Sequence, residues 1–114
     1  MHFNIQQKYF NLIKAGLKLA EGRINKPKFN NLKIGDKISF SPNGNNKDLI
    51  RARVTALNRY IDFKEMLSIK NELTALLPGI HSVTDGIKLY ESFGDYKTAQ
   101  FEFGVISIHF DILE

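Results

Sequence analysis

The chain has no cysteine in its 114 residues. That excludes disulfides, thiolate zinc sites and a cysteine nucleophile, and it fits a reducing compartment. Tryptophan is also missing, so any aromatic platform must come from the nine Phe and four Tyr. No apolar run approaches the length of a membrane span. Met1-His2-Phe3-Asn4-Ile5 lacks the basic segment and long apolar stretch of a secretory signal, and a cytoplasmic location is expected. The P-loop, the dinucleotide fingerprint and the nucleophile elbow are all missing, and no cofactor is expected. His2, His81 and His109 lie far apart, without metal-ligand spacing, so no metal site is expected either.

What is present suits one domain spanning residues 1–114, with no repeat, low-complexity tract or linker. A chain of this length buries roughly two thirds of the surface it exposes when unfolded. The net charge of +4 hides an asymmetry. Residues 1–53 carry 11 Lys/Arg against 3 Asp/Glu, a balance of +8, whereas residues 54–114 carry 5 against 9, a balance of −4. A basic half points to a polyanionic partner such as RNA or DNA.

Phe3 and Ile5 alternate with polar residues and predict a short strand. Tyr9, Leu12, Ile13 and Gly16 follow helical spacing, with Gly16 as the C-terminal cap. Residues 19–24 resume as strand, and Pro27 with Asn30-Asn31 marks a loop. Ile38 and Phe40 alternate with polar neighbours up to the turn cluster Pro42-Asn43-Gly44-Asn45-Asn46. A return strand over about 49–60 places Ile50, Ala52, Val54 and Ala56 on one face, with Arg51, Arg53 and Thr55 on the other. Asp62 and Glu65 form a capping box for a helix that turns Phe63, Met66 and Leu67 inward. A second short helix is expected over 70–77, broken by Pro78-Gly79. Ser82 caps another helix, carrying Val83, Ile87, Tyr90 and Phe93 and closed by Gly94. Phe101 to Phe110 reads as a last, central strand. Strands at both ends with helices between them predict an α+β fold around a small, partly closed barrel.

The run Gly16-Leu17-Lys18-Leu19-Ala20-Glu21-Gly22-Arg23 carries the most chemistry. Glu21 and Arg23 are two apart, so on a strand they share a face, and Lys18 lies in the turn before them. A lysine, an acid and a bidentate donor can therefore converge on one polar cleft. Lys26-Pro27-Lys28 follows, then Leu32-Lys33-Ile34-Gly35-Asp36-Lys37-Ile38-Ser39-Phe40, Leu77-Pro78-Gly79 and Gly104-Val105-Ile106-Ser107-Ile108. This ordered set closely resembles the ASCH family (the activating-signal-cointegrator homology domain), whose fold is similar to the PUA RNA-binding barrel. The resemblance implies a PUA-like small mixed β-barrel, with helices inserted between the strands and packed around it.

It also implies RNA or nucleotide recognition in a cleft lined by the G-x-K-x-x-E-x-R run. The expected binding residues are Lys18, Glu21 and Arg23, with a basic rim of Lys26, Lys28, Arg51 and Arg53. Tyr9, Phe29 and Tyr60 are candidates to stack on a base. A second reading is a small enzyme. Some bacterial members of the family are amidohydrolases that deacetylate N4-acetylcytidine, and others are described as ribonucleases. Lys18 and Arg23 match the amidohydrolase motif, but Glu21 replaces the Thr presumed to be its nucleophile. Lys18 as base and Glu21 as activator of water would then be the catalytic residues. That branch also uses a downstream Glu, for which Glu65 and Glu72 are both in range. A third reading is a domain that binds a protein partner, without membrane contact.

Overall fold

The alternation at Phe3 builds one edge of a sheet. In the computed structural model, which describes residues 1–114, strand β1 (His2–Ile5) buries Phe3 and Ile5. Helix α1 (Gln7–Lys14) follows and buries Phe10 and Ile13, leaving Tyr9 and Leu12 half-buried. It stops where Gly16, at φ 76°, donates its N–H to the Ile13 carbonyl at 2.9 Å. Strand β2 (Ala20–Ile24), a 3₁₀ turn at Pro27–Phe29, strand β3 (Lys37–Pro42) and strand β4 (Ile50–Tyr60) come next. Four helices are then inserted before the last strand: α2 (Phe63–Ser68), α3 (Glu72–Leu76), α4 (Val83–Glu91) and α5 (Tyr96–Phe103). Strand β5 (Val105–Ile112) completes the chain. No helix is long and apolar enough to cross a membrane.

The five strands form one sheet in the order β1-β3-β4-β5-β2. β1 runs parallel to β3, and every other pair is antiparallel. β1 and β2 are therefore the two free edges. The sheet curls into a half-barrel that brings these edges together, so that Arg23 on β2 reaches the Asn4 carbonyl on β1.

Two apolar cores flank the sheet. The concave side holds Phe3, Ile5, Phe10, Ile13, Phe40, Val54, Ile106, Ile108 and Phe110 with their neighbours. The helices α2 to α5 build the other core on Ala20, Ile24 and Val105. β5 turns Ile106, Ile108 and Phe110 to the concave core and Val105 to the helical one, while Ser107 and His109 on the helical side meet Glu72. Tyr9 packs against both cores and marks their junction.

Two local expectations are corrected. Phe101 belongs to helix α5, and the strand begins only at Val105. The aromatics of this segment favour a strand, but tertiary contacts set the helix: Ala99 and Gln100 are buried and Phe101 is 71% exposed. Gln100 accepts the Phe63 N–H at 3.1 Å and so serves the N-terminus of α2. The alternation of β4 breaks at a β-bulge between Val54 and Ala56. The extra residue inverts the parity, so Leu57 rather than Ala56 packs on the concave core. The two predicted caps form: Asp62 accepts the Glu65 N–H and Ser82 accepts the Asp85 N–H.

Gly104 joins α5 to β5 at φ 72°, ψ −171°, a region of backbone space open essentially to glycine. A Cβ there would lie 2.7 Å from the Tyr60 carbonyl oxygen, a backbone atom that cannot swing aside. Gly104→Ala is expected to cost about 2 kcal/mol or more in urea unfolding, because strain and clash act together. An unchanged midpoint would show that the α5–β5 junction relaxes freely.

Candidate functional site at the seam of the half-barrel

Between the Gly16 turn and β2 the chain is tied to the far side of the molecule. Leu19 donates its N–H to the Ala75 carbonyl at 2.9 Å. This fixes Lys18, which is only 2% exposed. Its ammonium donates to the Leu76 carbonyl at 2.6 Å and lies 3.3 Å from Glu21 Oε1. It also sits 5.6 Å from the centre of the Tyr9 ring. Leu76 ends α3, where carbonyls lack helical partners and a cation is favoured.

Glu21 and Arg23 pair across the ladder with Ile108 and Ile106, so both face the concave side. Arg23 Nε donates to Glu21 Oε2 at 2.7 Å, and Nη2 donates to the Asn4 carbonyl at 3.2 Å. The guanidinium lies 5.0 Å from the centre of the Phe3 ring. Each carboxylate oxygen of Glu21 thus holds one cation. The three charges leave a net +1 at the seam.

These residues form one wall of a cleft of about 400 Å³. Asn4, Gln6, Tyr9 and Asn43 border it on the β1 side. The opposite wall is aromatic: Tyr90, Phe93 and Tyr96 meet in edge-to-face pairs, and Tyr90 stacks on Phe63 with ring centres 4.5 Å apart. Gly22 lies between the two charged residues and points to the helical side. A methyl group there would collide with the Tyr90 hydroxyl.

Burial draws the Lys18 ammonium below its ordinary range, against the attraction of Glu21. Burial alone would raise the Glu21 carboxyl, but Lys18 and Arg23 outweigh it and hold the group below the usual carboxylate range. At neutral pH Glu21 is therefore a fixed anion, held between the Lys18 and Arg23 nitrogens.

The structure brings Lys18, Glu21 and Arg23 together and separates them from the basic residues expected around them. None of Lys26, Lys28, Arg51 and Arg53 lines the cleft. Lys26 approaches most nearly, pairing at 3.9 Å with Asp95, which stands between the lining residues Gly94 and Tyr96. Lys28 and Lys37 border a separate shallow depression. Lys37 pairs in register with Arg53, and Ser39 with Arg51. Lys37, Arg51 and Arg53 thus share the outward face of the sheet, with Asp111 opposite Arg53 and Lys28 beside Lys37, because β4 turns its odd-numbered residues away from the concave core before the bulge. Arg53 spends one donor on the Gly35 carbonyl at 2.8 Å.

Of the three stacking candidates only Tyr9 lines the cleft; Phe29 is 1% exposed and belongs to the concave core. Tyr60 is bonded to Glu72 at 2.9 Å. Neither downstream glutamate lines the cleft. Glu65 is exposed and accepts the Ile61 N–H at 3.2 Å. Glu72 is buried against the opposite face of β5, where Ser107 donates to it at 3.2 Å and His109 Nε2 lies 2.5 Å away. No group of three His, Asp or Glu is placed to hold a metal ion.

Tyr90 and Phe93 read in the sequence as part of a helix's apolar stripe, Tyr96 carries no reading there, and none of the three points to a cleft. Helical periodicity cannot separate a ring in a core from a ring in a cleft wall. The one available signal was Gly22, since a glycine inside a strand marks a close approach by another group.

Removing the charge of Glu21 leaves two cations without their common partner. Glu21→Gln is expected to cost about 3 kcal/mol, as breaking a buried pair does. The lowered Glu21 pKa also sets a pH dependence. Between its folded and unfolded values the unfolded chain binds more protons, so stability falls as pH drops below about 4.5. Urea titrations between neutral and acid pH should show part of that slope lost in Glu21→Gln, the remainder belonging to Glu72, which is also lowered. An identical slope in both proteins would mean that Glu21 carries no linkage.

No curated protein matches the chain. The crystal structure of hypothetical protein PH0355 superposes with a TM-score of 0.84 at 33% identity, covering 98% of this chain and 97% of that one. The solution structure of protein PF0455 from Pyrococcus furiosus gives a TM-score of 0.73 at 34% identity, covering 100% and 99%. The ASCH domain profile matches residues 3–110. With the fold and nearly the whole length in agreement, the chain belongs to the ASCH domain family.

Proposed function

We propose that this domain recognises RNA, taking one nucleotide into the cleft at the seam. The observation that carries this reading is the pairing of two unlike walls. One is a charged strand wall of net +1, and the other is the aromatic wall of Tyr90, Phe93 and Tyr96. An aromatic face suits a base, and a surplus cation suits the phosphate beside it. Arg23 is the half-exposed member of the charged group and has a guanidinium nitrogen left over for phosphate. The outward face with Lys37, Arg51 and Arg53 supplies a second surface that follows the backbone without reading sequence.

The two surfaces predict different losses. Arg23→Ala should weaken binding of a single nucleotide and of single-stranded RNA alike. The Arg51→Ala/Arg53→Ala double variant should weaken only the RNA and flatten its salt dependence, by about 0.7 in the log–log slope for each phosphate no longer neutralised. Fluorescence anisotropy over a salt series reads both effects. RNA binding indifferent to all three arginines would reject the proposal.

One observation favours a hydrolytic reading beside it. Burial draws the Lys18 ammonium below its ordinary range, the direction a general base requires. Glu21 is the only carboxylate among the lining residues, so it alone could then guide water. Incubation with N4-acetylcytidine tests this directly. Release of acetate that vanishes in Lys18→Ala supports an enzyme, and no release by folded protein leaves the cleft as a recognition site.

A further inference from the structure

We propose that Tyr90 reads the ligand, its hydroxyl donating a hydrogen bond to an acceptor oxygen of the nucleotide held in the cleft. This rests on the nucleotide reading above and adds a specificity-determining residue to it. Three independent features support it.

The residue is 3% exposed, and its hydroxyl has no hydrogen-bond partner in the protein. Leaving a buried hydroxyl unpaired is costly, so such a group calls for an explanation. The ring already has a packing role, stacked on Phe63 and set edge-on to Phe93. A phenylalanine would pack equally well, so the core does not explain the oxygen.

The residue also lines the cleft together with Lys18, Glu21 and Arg23. The strand opposite it makes room through Gly22, where any side chain would collide with the hydroxyl. A glycine inside a strand loses packing and favourable conformation, and here it leaves room for one buried polar atom beside the site. Finally, the hydroxyl remains a donor. Burial, reinforced by the Glu21 carboxylate, pushes the phenol well above its ordinary range. No acceptor of the protein lies within hydrogen-bond reach of the hydroxyl, which leaves the donor free for an acceptor carried by the ligand.

The acceptor can be a base carbonyl or a phosphate oxygen. The experiment compares wild type with Tyr90→Phe in two measurements. In thermal unfolding the variant should melt at or above the wild-type temperature, because it loses only an unpaired polar atom. In calorimetric titrations with the four ribonucleoside 5′-monophosphates and with inorganic phosphate, it should bind about 3- to 10-fold more weakly. Weakening confined to the nucleotides with a base carbonyl identifies that group, and AMP is then the unaffected control. Equal weakening of all four and of inorganic phosphate identifies a phosphate oxygen.

A lower melting temperature would make the hydroxyl structural and overturn the inference. So would unchanged affinity for nucleotides that wild type binds, which leaves the nucleotide reading itself intact. If wild type binds none of the four nucleotides, nor single-stranded RNA, the nucleotide reading fails and the role of Tyr90 falls with it.

Discussion

The arrangement depends on one carboxylate shared between two cations at a seam that the backbone does not close. A sheet of order β1-β3-β4-β5-β2 leaves two edges, and unpaired edges carry unsatisfied amides and carbonyls. Here side chains do what a ladder would do in a closed barrel. Arg23 satisfies the Asn4 carbonyl on the facing edge, and Glu21 holds Arg23 in place. Lys18 then fastens the same carboxylate to the end of α3. Two buried charges and a half-buried one are expensive to desolvate, and the group is tolerable because every member has a charged partner and both cations also bond a backbone carbonyl. Remove the anion and the remaining pair repels in a medium of low dielectric.

A seam joined by side chains leaves a gap that backbone hydrogen bonds would have filled, and this gap is the cleft. Its charged wall is rigid: Glu21 and Arg23 stand on a paired strand, and Lys18 is held at both ends of its reach. The second wall comes from the helices inserted between β4 and β5. Phe63 on α2, Tyr90 on α4 and Tyr96 on α5 meet ring against ring, with Phe93 between the last two helices. The sheet thus supplies charge and the insertion supplies aromatic surface. Neither alone makes a cleft with both a charged and an aromatic wall.

The strand half of this design was legible because it obeys short-range rules. Alternation placed Glu21 and Arg23 on one face, and the register with Ile108 and Ile106 bears that out. The caps at Asp62 and Ser82 follow from local hydrogen bonding and formed as expected. What escaped was settled over distance. Phe101 sits in a helix because Gln100 is captured by Glu91 and by the start of α2, an arrangement that no window around Phe101 contains. Arg51 and Arg53 were correctly paired on one strand face. Which way that face turns depends on the curl of the whole sheet. The parity of Ala56 was lost to a single inserted residue. Tyr90 belonged to a regular helical stripe, and nothing local distinguishes the ring that ends at a cleft from the ring that ends in a core.

The fate of Glu72 shows how far support for the cleft extends. It lies on the far side of β5 and was a candidate to enter the site, yet its carboxylate is taken up by Tyr60, Ser107 and His109. Burial would raise its pKa, but these hydrogen bonds lower it, so it stays an anion in its socket. Burial and the same anion push the Tyr60 phenol up to about 12, so Tyr60 remains the donor. The consequence runs along α3, a helix of five residues, too short to hold its shape alone. Glu72 opens it and Leu76 closes it. The first is bound to β4 and β5, and the last offers its carbonyl to Lys18, while Ala75 accepts the Leu19 N–H. One turn of helix therefore connects a buried network on the helical side of the sheet to the buried ammonium in the cleft. Glu72 reaches the site without entering it, by fixing the carbonyl against which Lys18 is held.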